Sequence, residues 1–441
     1  MSFSPEAPHA ALLMAALEHA VKESAIAPAI AAETREFLLK LDDDPAAQPT
    51  SEVEQGAALT AQWLKHLNSG DLDDADALGK QIENASPTHP FPMAAAVQAI
   101  HQLGLVQASS SPKEYYRSPS SPSFGVIKWT LPDNAKVAII GDWGTGSEDK
   151  DYLLDQLLTN NPGIAAILHT GDIYEAGTFS NVRDNFVKPL QMAFQKHGNI
   201  PVYAVPGDHE YLHNRAEAYF DMLNTLNGSG AEKQEASYFC LRTKSGGWQI
   251  LGGDTGYTSR SGNQPGLDGP EKDWHEQKFH NFKGKTIFLT HRQFVSAYDP
   301  LNDQPPYNTN AELLSSMSAM LPKISLFLWG HEHRFVPYDI PAYTTKLRLM
   351  GGSGRHPKPQ QMIDPSIVLP NGLTPPVWTG SDNKYWDDHK QKFDNFSVSN
   401  HSYAILDLGA SQISYYQISA WMNGTPNPKK GSPQLMLKDS L

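Results

Sequence analysis

Apolar residues recur three and four positions apart in four stretches near the start of the chain: AALLMAALEHAV, AAETREFLLKL, AALTAQWLKHL and MAAAVQAIHQL. That period places them on one face of a helix. Turn-forming breaks, DDDPAAQPTS, NSGD and SPTHPFP, separate the four. The spacing predicts an all-α accessory unit over residues 1–107. A Ser- and Pro-rich stretch, SSSPKEYYRSPSSPSFG, then reads as a linker over 108–125. From residue 126 the period changes. Short apolar runs alternate with helical patterns: KVAII then SEDKDYLLDQLLTN, GIAAILH then NVRDNFVKPLQMAFQKHG, VYAV then RAEAYFDMLNTLNG. WQILGG, KTIFLT and ISLFLW continue the strands, and SYAILDL with ISYYQIS suggests a hairpin. Strand–helix alternation predicts an α/β layered domain over 126–425, with 426–441 as a tail. Within it, the Pro- and Gly-rich stretch 355–385 reads as a long loop.

Composition narrows the function. The 441 residues exceed one ordinary domain. Acidic residues outnumber basic ones 48 to 35, a net charge of −13, which argues against sequence-blind binding of nucleic acid or an anionic membrane. A phosphate substrate stays open, because metal ions supply positive charge locally. Cys240 is the single cysteine, so there is no intrachain disulfide and no cysteine-based zinc site. The N-terminal stretch lacks a basic leader region, and Glu18 and His19 interrupt its apolar run, so it reads as an amphipathic helix rather than a signal peptide. No apolar run reaches the roughly 18 residues of a membrane span. The expected location is the cytoplasm, with leaderless export left open, and the N-terminal helices are expected to pack or mediate self-association.

The strand ends carry the chemistry. KVAII runs into Gly141-Asp142, GIAAILHT into Gly171-Asp172, VYAVP into Gly207-Asp208-His209, KTIFLT into His291, and ISLFLW into Gly330-His331-Glu332-His333. Carboxyl ends of strands in open α/β sheets converge on a ligand crevice. Three carboxylates crowded there would repel one another, and two cations remove that cost while using the imidazoles. Mixed Asp/His ligation without thiolate suits Fe, Zn or Mn. The glycine before each aspartate, and before His331, is expected to let the backbone turn sharply and approach an ion.

In order and at strand ends, GDWG, GDIY, GDHE, LTHR and GHEH resemble the motifs of the calcineurin-like metallophosphoesterase superfamily, nearest to its purple acid phosphatase branch. The resemblance covers roughly residues 126–420 and implies a layered β-sandwich flanked by helices. It implies one metal held by Asp142, Asp172 and His333, with Glu175 or Tyr174 as a further ligand. A second metal takes Asp172, Asp208, His291 and His331, so Asp172 bridges. His209 beside the metals would stabilise the transition state or protonate the leaving oxygen. The implied reaction is hydrolysis of a small phosphorylated substrate by metal-bound hydroxide, monoesters favoured. A phosphodiesterase acting on a cyclic nucleotide, nucleic acid end or phospholipid head group is the alternative. An inactive metal-binding module is the alternative of another class. Two positions depart from the branch: its tyrosine ligand lies three residues after the second aspartate, where this chain has Glu175, and Asp208 replaces the usual asparagine.

Weaker candidates surround these. Arg292 and Arg334 each follow a proposed ligand and are candidates for a substrate phosphate, with surface ion pairing the equal alternative. Tyr211 and His213 follow GDHE and are candidates for lining the pocket. His169 reads as a core residue, and Trp143 either walls the site or covers the sheet end. Glu148 and Asp149 read as first-turn acids of a helix.

Overall fold

The computed structural model describes residues 28–44, 46–69, 78, 124–146, 148–174, 177–211, 216–259, 265–297, 301, 309–340, 342–354, 385–387, 392–394, 401–418 and 431–441. Two of the four predicted N-terminal helices fall there, α1 (Pro28–Asp43) and α2 (Glu52–Ser69). They pack on each other, and Phe37, Leu38 and Trp63 on them are buried. The other two, like most of the linker and of the long loop, lie outside the described residues.

Among the described residues, two six-stranded sheets form the centre of the remaining fold. In chain order the strands are β1 (Lys136–Ile140), β2 (Ile164–His169), β3 (Val202–Ala204), β4 (Phe239–Arg242), β5 (Trp248–Gly252), β6 (Lys285–Thr290), β7 (Ile324–Trp329), β8 (Phe335–Tyr338), β9 (Lys346–Met350), β10 (Tyr385–Asp387), β11 (Lys392–Asp394), β12 (His401–Asp407), β13 (Gln412–Ile418) and β14 (Gln434–Ser440). The first sheet runs β14-β13-β12-β1-β2-β3 and the second β4-β5-β6-β7-β9-β8, while β10 and β11 pair by themselves. In the first sheet β1, β2 and β3 are parallel. In the second β5, β6, β7 and β9 are parallel.

Side-chain alternation builds the layers. Along β1, Val137 and Ile139 enter the core between the sheets, where they meet Ile250, Ile287, Leu289, Leu326 and Leu328 of the second sheet. Ala138 and Ile140 point the other way, toward α3 (Glu148–Asn160), α4 (Lys188–His197) and α5 (Glu217–Leu226). The outer face of the second sheet is covered by α6 (Gly269–His280) and α7 (Ala311–Met317). Strands buried on both faces read as continuous apolar runs, which is why KVAII and ISLFLW stood out.

Two expectations change. The stretch read as a C-terminal tail contains β14, which pairs antiparallel with β13. Its strand is an edge with exposed Leu435 and only half-buried Met436 and Leu437, so its alternation is faint. The strands FCLR, FVPY and KLRLM were also not anticipated, their apolar runs being broken by Arg242, Pro337 and Arg348.

His169 lies on β2 with its ring 4.8 Å from that of Phe186, a core position as expected. Burial holds its imidazole far below the ordinary value, at about 3, against the pull of Asp172. It is neutral in the fold and titrates near pH 6.5 when unfolded, at about the reference value. The unfolded chain therefore binds more protons in that window, and stability falls as pH drops from 6.5 toward 3, by about 1.4 kcal/mol per unit. Urea midpoints at pH 7, 6 and 5 should show this slope, and His169→Phe should flatten it. An equal slope in both proteins would rule the contribution out.

Candidate metal centre

Parallel strands of both sheets end on the same rim, and the candidate ligands stand just past those ends. Asp142, Asp172 and Asp208 come from the first sheet, and His291 and His331 from the second. The site thus lies where two sheets meet rather than along the edge of one. Three of these residues have left-handed backbones: Asp142 (φ 54°), Asp172 (φ 72°) and His331 (φ 74°). Such conformations cost of order 1–3 kcal/mol each and persist where the surroundings over-determine them.

The glycines act differently from expectation. Of the four that precede ligands, Gly171 alone takes a positive φ. After Gly141 and Gly330 the left-handed residue is the ligand itself, Asp142 or His331, and the glycine clears space. A Cβ on Gly330 would stand 2.6 Å from Asp142 Oδ2, and one on Gly207 would collide with the Asp172 carboxylate. Gly144 likewise fits against Ile173, where a Cβ would come within 2.7 Å of its Cα.

Two groups of donor atoms result, one of Asp172, Asp208, His291 and His331, the other of Asp142, Asp172 and His333. In the first, His291 Nε2 lies 2.8 Å from Asp208 Oδ1, 3.3 Å from Asp172 Oδ1 and 3.2 Å from His331 Nδ1. His291 Nδ1 lies 3.0 Å from the Thr170 carbonyl. That contact fixes the ring's orientation, and with Nδ1–H donating there Nε2 would be the nitrogen available to a metal. The second group centres on the Tyr174 hydroxyl, which is 2.9 Å from Asp142 Oδ1, 2.8 Å from Asp172 Oδ2 and 3.0 Å from His333 Nε2. Tyr174 therefore reaches this group although it is one residue nearer the aspartate than in the branch the sequence resembles. Glu175 lies outside the described residues.

The donor chemistry fits metal. Each group gathers carboxylate oxygens and imidazole nitrogens close enough for one ion, and a cation in each would relieve the repulsion among the carboxylates. Without one, the charges strain against each other. Burial and then Asp172 push the Asp142 carboxyl well above the usual range. Despite burial, Asp208 is held well below it by His331, His291 and Arg292. Despite burial, Asp172 and the neighbouring aspartates lift His291 to about 10.

The remaining candidates separate clearly. His209 is slightly exposed, with Nε2 4.0 Å from Asp172 Oδ2 and its ring on that of Tyr174 at 4.5 Å. Arg292 is buried, not paired on the surface: Nη1 lies 2.8 Å from His331 Nε2 and 3.6 Å from Asp208 Oδ2. It offsets the extra charge that Asp208 brings. Arg334 is buried too, its carbonyl accepting from Gly351 N–H. Trp143 covers the sheet end, edge-on to Phe186 and donating to the Lys150 carbonyl. His275 is structural, hydrogen-bonding distance from Glu271 in the core. His213 lies outside the described residues, as do the side chains of Glu148 and Asp149.

Two residues beside the site are missing from the sequence candidates. Glu210 is wholly buried, and its Oε2 accepts from Gly207 N–H at 2.8 Å. Burial and Asp172 push its carboxyl up to about 8. Its signal was the E of GDHE. Asp254 follows WQILGG and carries the same Gly-Asp pattern as the ligands.

Residues 135–335 match the model of the calcineurin-like phosphoesterase family. Among solved structures it is similar to a purple acid phosphatase from yellow lupin (Lupinus luteus) seeds, at 16% identity and a TM-score of 0.42 over 65% of this chain and 52% of that one. It is also similar to Vacuolar Protein Sorting 29 from Cryptosporidium parvum, at 12% identity and a TM-score of 0.29 over 70% and 98%. A third is a 5'-nucleotidase from Staphylococcus aureus, described as putative in its own name, at 13% identity and a TM-score of 0.34 over 50% and 49%. The chain thus spans about half of the lupin enzyme. No curated protein sequence matches it. Among the described residues, no helix is long and apolar enough to cross a membrane.

Proposed function

We propose that this domain hydrolyses a small phosphate monoester with two metal ions, of Fe, Zn or Mn type. The observation that carries the reading is the pair of donor groups sharing Asp172, with His209 alongside. One ion would be held by Asp142, Asp172, His333 and the Tyr174 hydroxyl, the other by Asp172, Asp208, His291 and His331. Metal bound there supplies Lewis acidity and positive charge to the phosphoryl oxygens.

The chain's own residues do the rest. The Thr170 carbonyl keeps His291 turned inward. The Asp208 carboxylate, kept ionised by its neighbours, orients toward His291 and His331. His209 stands at the open side of the site, where its Nε2 can hand a proton to the leaving oxygen or hydrogen-bond a developing charge. Arg292, beside the Asp208 group, contributes a fixed positive charge to an incoming phosphate.

Comparing turnover of p-nitrophenyl phosphate with its bis ester, after loading with Mn, Zn or Fe, tests the preference. The monoester is expected to be the faster substrate. Equal or faster cleavage of the diester would reverse it in favour of a phosphodiesterase. Protein that binds less than one ion per chain and gains no turnover with any of the three would be an inactive module instead.

A further inference from the structure

The rim carries a strand-end carboxylate, Asp254, that the two donor groups do not use. β5, β6 and β7 are parallel neighbours, so Asp254 emerges on the same edge as His291 and His331. Its carboxylate belongs to neither donor group. Instead Oδ2 accepts the Tyr211 hydroxyl at 2.7 Å, and Oδ1 accepts the Tyr257 N–H at 3.0 Å. The Asp254 N–H donates to Glu271 Oε1 at 2.8 Å, and that oxygen lies 3.2 Å from His275 Nε2 on α6. Asp254, Glu271 and His275 are fully buried, and Tyr211 nearly so. A chain of buried hydrogen bonds therefore runs from α6 to the 3-10 turn His209–Tyr211.

Packing supports the same connection independently. Gly256, two residues past Asp254, lies so close to the Gly207 carbonyl that no Cβ could be placed there. The segment after β5 is thus pressed against the loop that carries Asp208 and His209. The turn is closed from its other side by Glu210, whose carboxyl accepts from Gly207 N–H. At its head, His209 N–H points to Asp172 Oδ1 at 3.3 Å. Each turn residue has a different anchor, and Tyr211 is anchored by Asp254.

We propose that Asp254, acting through the Tyr211 hydroxyl, is a positioning residue that sets how the turn presents His209 to the substrate phosphate. This rests on the phosphoesterase reading. A neutral hydroxyl donating to a buried carboxylate is a strong, directional bond, and a small displacement of a proton-transfer group costs rate steeply. The Asp254 carboxylate lies in neither donor group, and both residues act through His209.

The test uses the full chain carrying Tyr211→Phe, which removes one oxygen and keeps the ring, and Asp254→Asn, which keeps the volume. With Mn-loaded protein and p-nitrophenyl phosphate, each is expected to lower kcat about tenfold or more, at unchanged metal content and with KM within about twofold. In a His209→Ala background, Tyr211→Phe is expected to have no further effect, because its action passes through His209. A second reading does not need turnover: the ring nitrogen resonances of His209 in metal-free protein should move in Tyr211→Phe. Losses that add in the His209→Ala background, or unmoved His209 resonances, would overturn the proposal. If the unsubstituted protein turns over no phosphoester, the phosphoesterase reading fails and the resonances alone decide the positioning. Should Tyr211→Phe not fold, Asp254→Asn decides by the same measurements.

Discussion

Asp172→Asn is expected to lower phosphoester turnover by at least about 10³-fold and to strip metal from both positions. Asp172 contributes one oxygen to each donor group, Oδ1 facing His291 and Oδ2 facing the Tyr174 hydroxyl. Asparagine has a single carbonyl oxygen and no charge, so it serves one group at most. Asp142→Asn and Asp208→Asn each alter one group and are expected to retain metal in the other. Elemental analysis of the three variants, loaded identically, separates these patterns. An Asp172→Asn protein with more than about a tenth of the original turnover, or with metal loss no greater than in the other two, would remove Asp172 from its bridging place.

The second large effect lies away from the site. Asp439→Ala is expected to destabilise the domain by about 3–5 kcal/mol while the folded protein keeps its specific activity. Arg348 on β9 is wholly buried and grips Asp439 on β14 with two bonds, Nε to Oδ2 at 2.8 Å and Nη2 to Oδ1 at 3.0 Å. Its remaining hydrogens go to the Tyr338 and Leu347 carbonyls and to Asp339. The pair clamps the C-terminal strand of the first sheet to the second sheet. Removing the carboxylate leaves a buried guanidinium short of its main counter-charge, whereas removing both charges with Arg348→Met and Asp439→Leu should recover much of the loss. Urea midpoints on the single and double variants read this directly. A single-variant midpoint matching the original would show that the clamp carries no stability.

The clamp also shows why this part of the chain was hard to read. β14 is held by one buried ion pair, by half-buried Leu437 and Leu441 against the core, and by Lys285 donating to the terminal Leu441 carbonyl. Each of these partners lies far away in sequence, and an edge strand with polar positions leaves no apolar run behind. β1, β2, β6 and β7 were legible for the opposite reason, since both of their faces are buried and their residues are apolar almost without a break. Tyr174 was ambiguous in the sequence because spacing along the chain counts residues, while a left-handed Asp172 and the tight fit of Gly144 on Ile173 decide where its ring points.

By itself the sequence determined the α/β layering after residue 126, the strands whose ends carry Asp142, Asp172, Asp208, His291 and His331, and the identity of His209 as their neighbour. These follow from local rules: burial on both faces makes an apolar run, and a run's end is marked by Gly followed by a polar group. Tertiary structure decided that the ligands come from two sheets rather than one, that Asp172 faces both donor groups, that Arg292 turns inward toward Asp208, and that Asp254 stays out of the donor groups and braces Tyr211. Each of those depends on distances between segments 30 to 190 residues apart, where the chain's local pattern is silent and only packing can choose.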